Sequence, residues 1–230
     1  MITSPAYIHL KSMISKYEEH GSKCIPCSQD VSACSTKFGP FTGEVTAGML
    51  KDFGVDWAII GHSERREFSD ASIVETREVI NKKVKNALKA GLNVILCVGK
   101  FWPKKKTRAG EPKAHIDIRS SEYVIAQLES LLDGVDLSQK RLIVAYEPSY
   151  SVGTGEPVDP KKVNDIIAEI RKWLDTRAVL LKFIYGGSVD ENNAPLYVKQ
   201  DNIDGVMVSR IAHSEKFGKL LENIAANSIV

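Results

Sequence analysis

The chain has 230 residues, 43% hydrophobic and 26% charged, which is ordinary globular usage that argues against disorder or fibre and allows one large domain or two small ones. Thirty-one basic residues stand against 29 acidic ones, a net charge of +2, so no general attraction to nucleic acid or anionic lipid is expected. No apolar run approaches the roughly 18 residues of a membrane span, and Met1-Ile2-Thr3-Ser4-Pro5 lacks the basic and apolar stretches of a signal peptide.

In chain order, Met1–Thr3 reads as a strand stub that stops before Pro5. The run Lys23–Cys27 reads as the next strand and contains Cys24-Ile25-Pro26-Cys27, a CxxC spacing. A zinc site would want a second Cys or His pair at set spacing, and a redox pair would open a helix rather than lie in a strand. Cys24, Cys27, Cys34 and Cys97 are too few for a disulfide scaffold in a chain of this size. Buried, reduced thiols in a cytosolic protein are the expectation, with no metal.

Trp57–Ile60 is a further strand, and Ile73–Ala90 has helical spacing with Gly91 as its stop. Asn93–Val98 is a strand; Phe101–Pro112, with Lys104-Lys105-Lys106, reads as an exposed loop. Leu142–Tyr146 is again a strand. At Asp159-Pro160 an N-cap residue precedes proline, and Val163, Ile166, Ile167, Ile170 and Trp173 then recur on one helical face. Leu180–Tyr185 and Gly205–Val208 complete the strands.

Short, continuously apolar strands alternating with amphipathic helices predict βαβ units and a parallel sheet covered on both faces. No linker interrupts the pattern, so residues 1–230 are expected to form a single domain. Seven strand signals are one short of the eight-stranded barrel. A doubly wound sheet would carry a glycine-rich turn after the first strand, and Ser4-Pro5-Ala6-Tyr7 is not one.

The polar residues that could do chemistry lie just after the strands, where a parallel barrel builds its active site. Gly61-His62-Ser63-Glu64-Arg65-Arg66 comes after one strand, Glu147-Pro148 and a loop with Gly153 and Gly155 after another, and Gly186-Gly187-Ser188 after a third. Any one of these has a bland reading as a structural hydrogen-bonder or a solvated strand end. Together they offer a carboxylate base under a loop able to exclude water, a histidine to polarise a carbonyl, and amides to cradle an oxyanion. That set suits proton abstraction beside the carbonyl of a small phosphorylated substrate.

At these residues the chain resembles the triosephosphate isomerase family. Phe41-Thr42-Gly43-Glu44, Gly61-His62-Ser63-Glu64-Arg65-Arg66, Tyr146-Glu147-Pro148, Gly153-Thr154-Gly155 and Tyr185-Gly186-Gly187-Ser188-Val189 occur in the family's order. The resemblance runs from about Ile2 to the C-terminus and implies an α/β fold, a TIM (βα)8-type barrel. It implies interconversion of dihydroxyacetone phosphate and glyceraldehyde 3-phosphate without cofactor, and the cysteine usage keeps the expected location cytoplasmic. By the same resemblance Glu147 is the catalytic base and His62 the neutral electrophile, with Glu64 and Cys97 behind them. Gly153, Ser188, Ser209 and Arg210 stand at the substrate phosphate. Pro148, Gly153, Thr154 and Gly155 belong to the lid loop, which runs to Glu156. The partners implied are a triose phosphate and a second copy of the chain, docked through the loop around Thr42, with neither nucleic acid nor membrane.

Three departures qualify the resemblance. Ser4-Pro5-Ala6-Tyr7-Ile8-His9-Leu10 already resembles the segment after the family's second strand, so the first strand, the first helix and most of the second strand are expected to be missing. The active-site lysine of an Asn-x-Lys motif goes with them, and Lys11 and Lys16 fall on the presumed next helix. After Gly205-Val206-Met207-Val208 the family has paired glycines, where this chain has Ser209-Arg210; the arginine either binds phosphate or fills the pocket. The lid reads Ser149-Tyr150-Ser151 and ends at Glu156 where tryptophan and lysine are usual, and Cys97-Val98-Gly99-Lys100 ends in Lys where Glu is usual. The rival expectation is therefore a catalytically silent homologue that keeps the barrel to bind a phosphorylated ligand or another protein.

Overall fold

A computed structural model of the chain describes residues 1–66, 74–99, 120–148 and 151–227. Seven strands form one sheet in chain order: β1 (Ile2–Thr3), β2 (Ile25–Ser28), β3 (Trp57–Ile60), β4 (Asn93–Val98), β5 (Leu142–Tyr146), β6 (Lys182–Tyr185) and β7 (Gly205–Val206). The recorded pairings of β1 with β2, β2 with β3, β3 with β4 and β6 with β7 are all parallel. The helices are α1 (Leu10–Glu19), α2 (Ala47–Asp52), α3 (Ser63–Arg66), α4 (Arg77–Lys89), α5 (Ser120–Leu131), α6 (Pro160–Asp175), α7 (Ala194–Val198) and α8 (Lys216–Asn227). This is the α/β, TIM-barrel-type architecture expected, with seven strands among the described residues where a closed barrel has eight.

The chain divides into two compact units. The first comprises Met1–Cys97 with Glu129–Ile143. Its register sets Ile2 beside Ile25 and Trp57 beside Asn93. Its core includes Val55, Ala58 and Ile60, closed from outside by Ile80, Val84 and Ala87 of α4. That helix begins at Arg77 rather than Ile73, because the Thr76 side chain accepts the Val79 N–H and caps it; Ile73 lies outside the described residues. Gly91, at φ +86°, ends it as expected.

The second unit comprises Val98–Leu128 with Val144–Val230. Its longest helix, α6, starts where Asp159 accepts the Lys162 N–H at 3.1 Å with Pro160 in the first turn. It buries Val163, Ile167, Ile170 and Leu174, each contributing roughly 1.5–3 kcal/mol of transfer free energy. Ile166 and Trp173 sit half-buried on its flank, and the Arg177 guanidinium lies over the Trp173 ring at 4.2 Å.

Three strand ends differ from expectation. Lys23 and Cys24 precede β2. Leu180 is 69% exposed, so β6 begins only at Lys182. The last strand stops at Val206, although Met207 N–H still donates to Tyr185 O at 2.8 Å. Cys27 is buried and its thiol is pushed up to about 12 by desolvation, an inert thiol. All four cysteines are free. The Phe101–Pro112 loop lies outside the described residues.

Candidate active site

Glu147 is the residue after β5 and only 1% exposed. Two glycines make room for it. A Cβ at Gly186 would come within 3.2 Å of Glu147 Cγ, and one at Gly99 would stand 2.0 Å from Glu147 O. The Glu147 N–H donates to Val98 O at 2.7 Å, and Gly186 N–H donates to Tyr146 O at 3.0 Å. The carboxylate is thus carried on a strand end fixed by backbone hydrogen bonds on two sides.

The loop after it is tied down by hydroxyls. Ser151 is buried; its Oγ donates to Glu156 O at 2.7 Å and shares a hydrogen bond with Tyr185 Oη at 3.1 Å. Tyr185 Oη also accepts the Val158 N–H at 3.0 Å, and Tyr197 Oη donates to Val158 O. Ser188 Oγ accepts the Gly155 N–H at 3.1 Å and donates to Ser151 O. Ser188 adopts a φ of +49°, a conformation that side chains rarely take. At Gly187 a Cβ would meet Tyr185 Oη at 2.5 Å, so only glycine lets the backbone pass this close. Gly153, Thr154 and Gly155 are exposed, and Pro148 is buried. Ser149 and Tyr150 lie outside the described residues.

In the first unit, His62 opens the segment after β3 and is half-buried. Its Nδ1 accepts the Glu64 N–H at 3.3 Å, which places the proton of the neutral ring on Nε2 as a donor. The Glu64 carboxylate is 82% exposed and 3.9 Å from Nδ1, outside hydrogen-bonding range. Cys97 is fully buried on β4, its carbonyl 3.3 Å from where a Gly61 Cβ would sit. Arg66 Nε donates to Gly61 O at 2.7 Å and holds the turn shut.

At the end of β7, Ser209 and Arg210 are both exposed, and Arg210 opens a 3-10 turn over Arg210–His213. Lys11 and Lys16 lie on α1 as expected, and Lys100 lies outside the described residues. Among the described residues no group of three His, Cys, Asp or Glu could hold a metal, and no helix is long and apolar enough to cross a membrane.

Sequence reasoning placed Tyr185 in a family motif and Ser151 in the lid without giving either a role, and missed Gln127 altogether. Gln127 accepts the Gly99 N–H at 2.9 Å. Its signal was a lone amide between the buried Val124, Leu128 and Leu131 of α5.

Parallel strands alternating with helices, with polar side chains just beyond the strands' C-terminal ends, define an α/β fold of the TIM-barrel class. The triosephosphate isomerase family model matches residues 1–224, and the chain belongs to that family. It is 40% identical over 188 residues to the triosephosphate isomerase of Picosynechococcus sp., covering 81% of this chain and 70% of that one. Likeness to the Psychrobacter sp. enzyme is 35% over 217 residues, covering 92% and 79%. A glycosomal triosephosphate isomerase of Trypanosoma cruzi is 32% identical over 193 residues, covering 81% and 71%.

Proposed function

We propose that this chain is an intramolecular aldose–ketose isomerase that interconverts dihydroxyacetone phosphate and glyceraldehyde 3-phosphate. Glu147 takes a proton from one substrate carbon and returns it to the next. His62, donating from Nε2, polarises the carbonyl as charge develops on its oxygen. The observation that carries the reading is Glu147, buried after β5, with Gly186 leaving its side chain space and Gly99 lying close against its main chain. Glu64 and Cys97 support the segments that bear the pair. The loop from Pro148 through Gly153, Thr154 and Gly155 is the lid, anchored by Tyr185 and Ser188. Gly153, Ser188, Ser209 and Arg210 receive the substrate phosphate. No cofactor or metal takes part. The chain works as a single domain in the cytoplasm and pairs with a second copy through the exposed Thr42, with no nucleic-acid or membrane partner.

The second reading, a silent homologue that binds a phosphorylated ligand or another protein, draws on the exposed Ser209-Arg210 at the end of β7. A coupled isomerase assay at several enzyme concentrations separates the two, since turnover with triose phosphate excludes silence and its concentration dependence reports self-association.

The lysine explains what is at stake. An oriented cation in a closed site stabilises a developing oxyanion by several kcal/mol. A family-like βαβ segment with its Asn-x-Lys strand, fused ahead of Met1, is expected to raise the melting temperature by covering a sheet edge. It should also raise turnover at least about tenfold, roughly 1.4 kcal/mol in barrier. Changing the added lysine to methionine should keep the melting gain and lose most of the rate gain. Equal turnover and melting with and without the extension would mean that another group supplies the charge, Arg210 being the first to test.

A further inference from the structure

A buried amide is unfavourable unless its groups are hydrogen-bonded, and Gln127 is 5% exposed on α5, whose other buried residues include Ser121, Val124, Leu128 and Leu131. Its Oε1 accepts the Gly99 N–H at 2.9 Å. Gly99, the residue after β4, lies so close to Glu147 that a Cβ would stand 2.0 Å from its carbonyl oxygen and 2.6 Å from the carbonyl carbon. The preceding residue holds the other side, since the Glu147 N–H donates to Val98 O at 2.7 Å. Residues 98 and 99 therefore grip the main chain on both sides of the Glu147 α-carbon.

We infer that Gln127 is a positioning residue for Glu147: its amide oxygen fixes Gly99, and Gly99 sets where the Glu147 carboxylate stands. Gln127 acts through two backbone segments, from α5 to the end of β4 and from there to the end of β5, rather than by touching substrate. A leucine at 127 would fill similar volume but leave the Gly99 N–H buried without its acceptor, and a relaxing Gly99 would carry Glu147 with it. A displacement of about 1 Å at a reacting group can cost about a hundredfold in rate. The consequence for turnover rests on Glu147 being the base; the consequence for its placement does not.

The test reads the carboxylate itself. In protein labelled with 13C at glutamate Cδ, the Glu147 signal is assigned by its loss in Glu147→Gln, then titrated in Gln127→Leu. Gln127→Leu is expected to move the Glu147 titration by at least about half a pH unit. It should lower kcat roughly ten- to a hundredfold with KM within about twofold. Gln127→Glu, which still offers an acceptor oxygen to Gly99, should restore kcat; only the rate is compared in this variant, because a charge at 127 would itself move the Glu147 titration. Should the leucine variant fail to fold, Gln127→Asn gives the same comparison, because its shorter amide stays polar but cannot reach Gly99. An unmoved Glu147 titration in a folded Gln127→Leu or Gln127→Asn protein overturns the inference, whatever the activity. A moved titration alongside full turnover in Glu147→Gln would instead keep the positioning role and remove Glu147 as the base.

Discussion

Glu147→Gln is expected to lower turnover by about a hundred- to ten-thousand-fold, the usual contribution of a positioned general base. The amide keeps the size of the side chain and fits the space left by Gly186, so the strand end should stay as it is. What it cannot do is accept a proton. A group that acts mainly in the transition state lowers kcat and leaves KM nearly unchanged when it is lost. Steady-state kinetics on the purified variant, with its melting curve beside the parent's, is the measurement. An unchanged turnover number would remove Glu147 from the mechanism. His62→Asn should also lower turnover, by about a hundredfold if the ring Nε2 donor is lost to the developing oxyanion. Its melting temperature should stay near the parent's, because His62 is half-buried and the turn is also closed by Arg66.

The parts of the fold that were legible in the sequence are those where one local signal decides. Trp57–Ile60, Asn93–Val98 and Leu142–Tyr146 match the structure residue for residue, because apolar runs that short fit a strand covered on both faces. Asp159 and Pro160 announced α6 because cap and first turn are chemically specified. Where two signals compete, the boundary moved. Apolar spacing drew a helix back to Ile73, but Thr76 caps it and Arg77 begins it. Glu147 and His62 could be singled out because each stands beside a strand end in a short motif.

The groups that hold them could not, since their partners are far away in the chain. Ser151 meets Tyr185 across 34 positions, Gly99 meets Gln127 across 28, and Lys83 meets Asp30 across 53. No periodicity encodes such pairs. What the sequence offered was a mismatch: Gln127 and Lys83 each occupy a buried place on a mainly apolar helix face.

Lys83→Met is expected to destabilise the folded state by about 3–5 kcal/mol, the cost of leaving buried charge without its partner. Lys83 is 4% exposed on α4, where Ile80, Val84 and Ala87 share the buried face. Its Nζ lies 2.6 and 2.7 Å from the two Asp30 carboxylate oxygens and 2.6 Å from Glu75 Oε1. Arg65 Nε joins them, 2.6 Å from Glu75 Oε1 and 3.3 Å from Asp30 Oδ2. Two cations thus face two carboxylates, and methionine removes the more buried cation.

The loss should depend on pH in a definite direction. Burial pushes the Asp30 carboxyl above its ordinary range, and the Lys83 charge and hydrogen bonds oppose that rise. A carboxyl whose folded value lies above its unfolded one binds more protons in the folded state, so its contribution to stability falls as pH rises through that interval. Without Lys83 the Asp30 value climbs further. The stability deficit of Lys83→Met should therefore widen as pH rises through the range in which Asp30 ionises and narrow again in acid. Adding Asp30→Asn should recover part of it by restoring the balance of charge.

The cluster also bears on chemistry, since Glu75 N–H donates to Arg65 O at 2.9 Å, three residues beyond His62. Urea unfolding at several pH values, with turnover measured on the fraction still folded, tests both consequences. A deficit below about 1 kcal/mol, or one that does not change with pH, would mean the cluster is no more than a set of weak surface pairs.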